Sequence, residues 1–309
     1  MKVIFLGTPD FGVPALKSII RSNHEVIAVV CQPDKTGSRG KVNYCAVKQC
    51  ALQHGIPLYQ FERISRDGVE TLKQLRPDIM VTAAYGQILS QQVIDIPAHG
   101  IINIHGSLLP QYRGAAPIQY AVLKGDKTTG ITILNTVLKV DAGEMILQES
   151  LEIGDDETSG QLFERMAQLG GKLIVRALDL IEQGKAVYTP QDESKVTFSQ
   201  KITSDMEKID WTMSAQEVHN LVRALNPSPV AWTSVEGKRV KIYATAVSNV
   251  HHTKPSGTVL SCGKKNLTVA CGNGTAIDIL TLQCENSRCM DIVSYLCGRK
   301  ISEGTVLGK

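Results

Sequence analysis

Lys2-Val3-Ile4-Phe5-Leu6-Gly7-Thr8-Pro9-Asp10-Phe11-Gly12-Val13-Pro14-Ala15-Leu16-Lys17-Ser18-Ile19-Ile20 joins an apolar run, a glycine-bearing turn and an amphipathic stretch. Val3 to Leu6 reads as a buried strand and Val13 to Ile20 as the helix that covers it. Outward from this unit the alternation repeats. Val26 to Cys31 precedes Tyr44 to His54, Ile79 to Ala83 follows, and Ile101 to His105 precedes Ala115 to Lys124. Strands alternating with helices predict an α/β domain with an open, doubly wound, mostly parallel sheet. Ligands of such sheets bind at the carboxyl ends of the strands, so the chemistry should lie just after each apolar run. The first such turn does not match G-x-G-x-x-G, and Pro9 removes a backbone donor, which disfavours a dinucleotide site.

Further along, Ile131 to Leu134 and Met145 to Leu151 add two extended runs. Thr158 to Gln183 is helical in period, with Leu162, Met166, Leu169, Leu173 and Leu180 as its apolar stripe. Periodicity then fades into a polar stretch that includes Thr189-Pro190-Gln191-Asp192-Glu193-Ser194. This reads as a linker over residues 190–206, between a first domain at 1–189 and a second at 207–309. In the second, a helix over Ser214 to Leu225 is followed by short alternating runs with turns at Glu236-Gly237 and Gly272-Asn273-Gly274. That grammar predicts a small, OB-like β-barrel.

The chain has 309 residues, 43% hydrophobic and 20% charged, the balance of a folded soluble protein. No apolar run reaches the length of a membrane span, and no leader or transit segment precedes the first strand, so a cytoplasmic location is expected. Eight scattered cysteines form no Cys-x-x-Cys pair and are expected to be reduced thiols, with no metal site. Residues 206–309 hold 12 of the 33 Lys and Arg but 8 of the 30 Asp and Glu, a balance of +4 against −1 for the rest. A polyanion would therefore favour the C-terminal third, although a small bias also serves solubility alone.

The most informative stretch is Ile101-Ile102-Asn103-Ile104-His105-Gly106-Ser107-Leu108-Leu109-Pro110-Gln111-Tyr112-Arg113-Gly114-Ala115-Ala116-Pro117-Ile118. Asn103 and His105 alternate with isoleucines, so both point to one face at the end of a central strand. Polar groups there need partners or a task; a capped strand end would explain a lone His, but two polar residues on one face, followed by a loop bearing Gly106, Pro110 and Gly114, point to a site. With Tyr-Arg-Gly-Ala-Ala-Pro-Ile after Asn-x-His-x-Ser-Leu-Leu-Pro, the stretch resembles the folate-dependent formyltransferases. The resemblance extends to Gly7-Thr8-Pro9-Asp10-Phe11, to the loop from Gln32-Pro33-Asp34 to Lys41, to Val140-Asp141-Ala142-Gly143 and to Ile209-Asp210-Trp211.

The resemblance implies a Rossmann-like catalytic domain followed by an OB-like C-terminal domain. It implies a monomeric, bacterial-type enzyme that moves the formyl group of 10-formyltetrahydrofolate to the amino group of methionine on initiator tRNA. Formylmethionyl-tRNA for translation initiation would be the product. Glycinamide ribonucleotide or a nucleotide-linked amino sugar are the other acceptors known to the family. Asn103, His105 and Asp141 would be catalytic: two hydrogen-bond donors for the oxyanion of a tetrahedral intermediate, and a carboxylate to orient and steady the imidazolium. The usual family pattern is closer to Asp-Thr-Gly-Asp, whereas here Ala142 follows Asp141 and removes a hydroxyl. Tyr85, Gly86, Gln87, Ile88 and Leu89, with Ser107, Leu108, Leu109 and Pro110, would form the folate pocket. Lys35, Arg39 and Lys41 in the basic loop, and Lys238, Arg239 and Lys241 in the second domain, would meet tRNA.

Overall fold

The computed structural model describes residues 1–36, 42–263, 265–298 and 301–309. By its contacts the chain divides into two compact units. The first comprises Met1–Pro117, Thr128–Glu152 and Phe163–Ser199; the second comprises Ile118–Lys127, Ile153–Leu162 and Gln200–Lys309. Residues 190–199 of the expected linker thus belong to the first unit, for a reason given by the site.

The sheet of the first unit contains β1 (Lys2–Gly7), β2 (Glu25–Cys31), β3 (Leu58–Gln60), β4 (Ile79–Ala83), β5 (Ile101–His105), β6 (Thr128–Asn135) and β7 (Met145–Glu152). Their order is β7-β6-β5-β4-β1-β2-β3. Strands β3 to β5 are mutually parallel through β2, β1 and β4, whereas β6 runs antiparallel to both β5 and β7. The chain winds outward from β1 to one side through β2 and β3 and then returns to the other through β4 and β5. The topological switch point therefore lies between β1 and β4. Both strands are almost wholly apolar because helices cover both faces: Val3 to Leu6 and Ile79 to Val81 have no exposure at all.

Helices α1 (Gly12–Ile20), α2 (Ala46–Gln53), α3 (Val69–Leu75), α4 (Pro117–Lys124) and α5 (Ser159–Glu182) follow in the chain. α4 starts two residues later than the apolar pattern predicts, since Pro117 suits the first helical position, where no hydrogen bond is lost. On α5, Gly170 lets the helix press against β5: a Cβ there would lie 2.9 Å from Ile104. A larger residue would push on the strand that carries Asn103 and His105.

The second unit has an antiparallel sheet of β8 (Trp232–Val235), β9 (Lys238–Ser248), β10 (Val259–Cys262), β11 (Leu267–Ala270) and β12 (Ala276–Cys284), in the order β8-β9-β12-β11-β10. A short strand, β13 (Met290–Asp291), also pairs with β12, completing the OB-like arrangement expected from the short alternating runs. Glu236 and Gly237 both have positive φ, 50° and 74°, as the two-residue turn between β8 and β9 requires. Helix α6 (Ala215–Ala224) begins with a Ser214–Glu217 capping box, and its Val218, Leu221 and Val222 join Ile242, Val269 and Ile279 in one core.

Candidate active site

Register sets the first catalytic candidate. Asn103 on β5 faces Thr82 on β4, and the Thr82 hydroxyl donates to Asn103 Oδ1 at 2.8 Å. With its oxygen engaged there, the amide turns Nδ2 toward Asp141 Oδ1, 3.4 Å away. His105, two residues on and on the same face, is 5% exposed. Its Nε2 lies 3.0 Å from the carbonyl oxygen of Tyr112, which can only accept, so that nitrogen carries a hydrogen and donates. Nδ1 is left 3.5 Å from Asp141 Oδ2.

Asp141 comes from the turn between β6 and β7, 38 residues from Asn103. Its backbone is left-handed, with φ +51°, and its side chain is 12% exposed. The backbone N–H of Gly114 donates to Asp141 Oδ2 at 2.9 Å. Gly114 itself has φ +119°, and a Cβ there would fall 2.4 Å from the carbonyl oxygen of Ser199. Only glycine can present that N–H to the carboxylate. Ala142 closes the turn with its N–H on the Lys139 carbonyl, and the Asp141 carboxylate takes its partners from Asn103, His105 and Gly114.

The three candidates thus converge within the first unit at the carboxyl end of the sheet. Asn103 retains an amide hydrogen for a reacting oxygen, and His105 presents Nδ1 beside a carboxylate. Together they can stabilise developing negative charge and move a proton.

The expected folate walls leave neighbouring strands, β4 and β5. Tyr85 and Leu89 are buried, whereas Gly86 and Ile88 are exposed, Ile88 at 79%. The Tyr85 carbonyl receives Thr8 Oγ1 and Gln32 Nε2, both at 3.1 Å, which ties the loops after β1, β2 and β4 together. Burial pushes the Tyr85 phenol up from its ordinary pKa, and its hydroxyl has no hydrogen-bond partner among the described residues. Gln87 is spent on backbone, accepting from Ile64 N–H and donating to the Phe61 carbonyl. In the other loop Ser107 and Leu109 are buried, while Leu108 and Pro110 keep part of their surface. Ser107 donates to the Gln111 carbonyl at 2.6 Å, holding the loop closed.

Of the expected tRNA contacts, Arg39 and Lys41 lie outside the described residues. Lys35 begins a two-residue strand paired with Val42–Asn43. In the second unit Lys238 is exposed and Lys241 half-buried on β9. Arg239 is already paired: its Nη2 donates to Glu207 at 3.0 Å and its guanidinium lies 4.4 Å from the Trp232 ring centre.

Sequence reasoning missed Thr82, the donor role of the Gly114 N–H and the polar run at residues 191–193. Gln191 Nε2 donates to the carbonyls of Asp141 and Gly143, both at 2.8 Å. Its Oε1 accepts from Arg113 Nε at 3.0 Å and Nη2 at 2.8 Å. Arg113 Nη2 also meets Glu193 at 2.7 Å. The Arg113 guanidinium, followed by the Lys139 ammonium, holds the Glu193 carboxyl below the ordinary carboxylate range. Residues 198–199 pair as a strand with 113–114, so residues 191–199 of the expected linker are built into the site.

Residues 1–178 match the formyl transferase family, and residues 201–300 match the formyl transferase C-terminal domain. Over 312 residues the chain is 43% identical to the methionyl-tRNA formyltransferase of Acetivibrio thermocellus, with 100% of each covered. Over 307 residues it is 42% identical to the methionyl-tRNA formyltransferase of Agathobacter rectalis, with 99% of each covered. Among solved structures, an N-formyltransferase from Helicobacter canadensis, in complex with folinic acid and dTDP-3-aminofucose, aligns with a TM-score of 0.70. The alignment covers 90% of this chain and 98% of that one at 17% identity, so the likeness is one of fold.

Proposed function

The chain belongs to the formyl transferase family, and on that premise we propose that it moves the formyl group of 10-formyltetrahydrofolate to the amino group of methionine on initiator tRNA. The observation that carries the mechanism is the convergence of Asn103, His105 and Asp141, with the carboxylate in reach of both partners. The amine nitrogen attacks the formyl carbon, and the carbonyl electron pair moves to oxygen. The free hydrogen of Asn103 Nδ2 donates to that oxyanion, an interaction strongest in the transition state. His105 Nδ1 takes the proton that the attacking nitrogen must lose, and Asp141 steadies the imidazolium. The same proton then goes to N10 of the folate as the carbon–nitrogen bond breaks. No acyl-enzyme and no metal ion enter this scheme.

The loops over Tyr85–Leu89 and Ser107–Pro110 would hold the folate, with apolar walls for the pterin face and backbone groups for its edge. Lys35, Arg39, Lys41, Lys238 and Lys241 would meet tRNA phosphates, Arg239 contributing less because Glu207 already neutralises it. The enzyme would work in the cytoplasm, where charged tRNA and reduced folate are found. The test offers purified protein and 10-formyltetrahydrofolate to initiator methionyl-tRNA, elongator methionyl-tRNA, glycinamide ribonucleotide and an amino-sugar nucleotide. Transfer to the initiator species alone is the expected result; transfer only to a small-molecule amine would overturn the tRNA assignment.

A further inference from the structure

The turn that carries Asp141 is left-handed at that residue, with φ +51°, a region that aspartate enters more readily than most side chains. Two residues later the turn presses against β6, where a Cβ on Gly143 would lie 1.9 Å from the Asn135 carbonyl oxygen. The side chain that grips the turn from outside is Gln191. Its amide nitrogen spends both hydrogens on the carbonyls at positions 141 and 143. Its oxygen is fixed in turn by two N–H groups of Arg113, a guanidinium only 1% exposed.

Arg113 adjoins Gly114, whose N–H holds the Asp141 carboxylate directly. One short segment therefore fixes Asp141 twice: at its carboxylate through Gly114, and at its backbone through Arg113 and Gln191. The amide orientation of Gln191 follows from these partners, since two carbonyls can face only the NH2 end and a guanidinium only the oxygen.

We propose that Gln191, oriented by Arg113, is the positioning residue that sets the Asp141 carboxylate against His105 and Asn103. The proposal rests on the reading of Asp141 as part of the catalytic trio. Gln191 touches no reacting atom; it acts through Asp141, and its loss should therefore matter only while that carboxylate is present.

The test is a double-mutant cycle on single-turnover formyl transfer to initiator methionyl-tRNA, using Asp141→Asn and Gln191→Met, which keeps the length of the side chain but removes its donors. Residues acting as a unit are non-additive. Gln191→Met is expected to slow transfer by about tenfold in the wild-type background, to shift the pH profile of the rate, and to leave folate and tRNA affinities unchanged. In the Asp141→Asn background the same change should cost less than about twofold. An equal loss in both backgrounds, or none in the wild type, would overturn the proposal. Full activity in Asp141→Asn alone would instead remove the reading on which it rests. Should Gln191→Met fail to fold, Glu193→Gln serves the same cycle. Glu193 is 62% exposed and steadies Arg113 from the solvent side. A loss of about threefold, confined to the background with Asp141, is expected; a loss independent of Asp141, or none, counts against the proposal.

Discussion

Asn103 can act on a reacting carbonyl only if its amide nitrogen, not its oxygen, faces the site. Thr82 decides which, because its hydroxyl donates to Asn103 Oδ1 at 2.8 Å while the Asp141 carboxylate can only accept from the other end. Thr82→Val keeps shape and burial but removes that donor, and the amide becomes free to flip. A hydrogen bond of this kind contributes about 0.5–1.5 kcal/mol, so kcat is expected to fall by about two- to thirteenfold. Folate affinity should not change, because Thr82 is buried beside the strand end and not in the pterin loops. Steady-state kinetics with a folate titration checks this, and an unaltered kcat would mean that Asn103 is held by other means.

Elements deliver these residues, and their legibility in the sequence differed accordingly. The strands and helices of the first unit follow from hydrophobic periodicity, because burial on both faces leaves near-continuous apolar runs such as Val3 to Leu6. Asn103 and His105 were legible for the same reason: a period of two in an isoleucine run marks their shared face. Asp141 was not, since a turn aspartate carries no signal of its own, and only the family resemblance pointed to it. Gln191 and Glu193 were hidden altogether. They reach Arg113 across 78 and 80 residues, and no local pattern records a contact at that range. Their polarity, read locally, resembles any surface connection.

The short pairing of residues 198–199 with 113–114 makes an element-level expectation. Gly114→Ala would set a methyl against the Ser199 carbonyl at a φ of +119°. The strain should cost on the order of 1–3 kcal/mol and move the N–H away from Asp141. A lower Tm together with a loss of activity larger than Thr82→Val causes is expected. A stable and fully active variant would show that the Gly114 donor is dispensable.

Across the whole molecule, charge is distributed unevenly and several carboxylates are tied to cations. The Lys48 ammonium holds Asp34 below the ordinary carboxylate range, Arg66 does so for Asp67, and Arg113 with Lys139 does so for Glu193. A carboxylate whose folded pKa is depressed contributes stability that is fully present above its unfolded pKa, about 4. That contribution is lost as pH falls through the folded value. Tm should accordingly be nearly flat from about pH 7 to pH 5 and drop steeply below about pH 4. Thermal melts across that range check the sign, and a Tm that rises on acidification would contradict it. Each pair is exposed on at least one side, so the individual effects are small and added salt should weaken them.

Chemistry and fold meet in the proposal that formyl transfer takes place at the carboxyl end of the first sheet, on Asn103, His105 and Asp141. The most direct test compares single-turnover formyl transfer to initiator methionyl-tRNA by the wild type and by Asn103→Ala, with folate and tRNA dissociation constants measured on both. Loss of one oxyanion donor is expected to slow transfer by about 10²–10³-fold while both substrates bind as before. Transfer at the wild-type rate by Asn103→Ala would contradict the mechanism and require the oxyanion to be stabilised elsewhere.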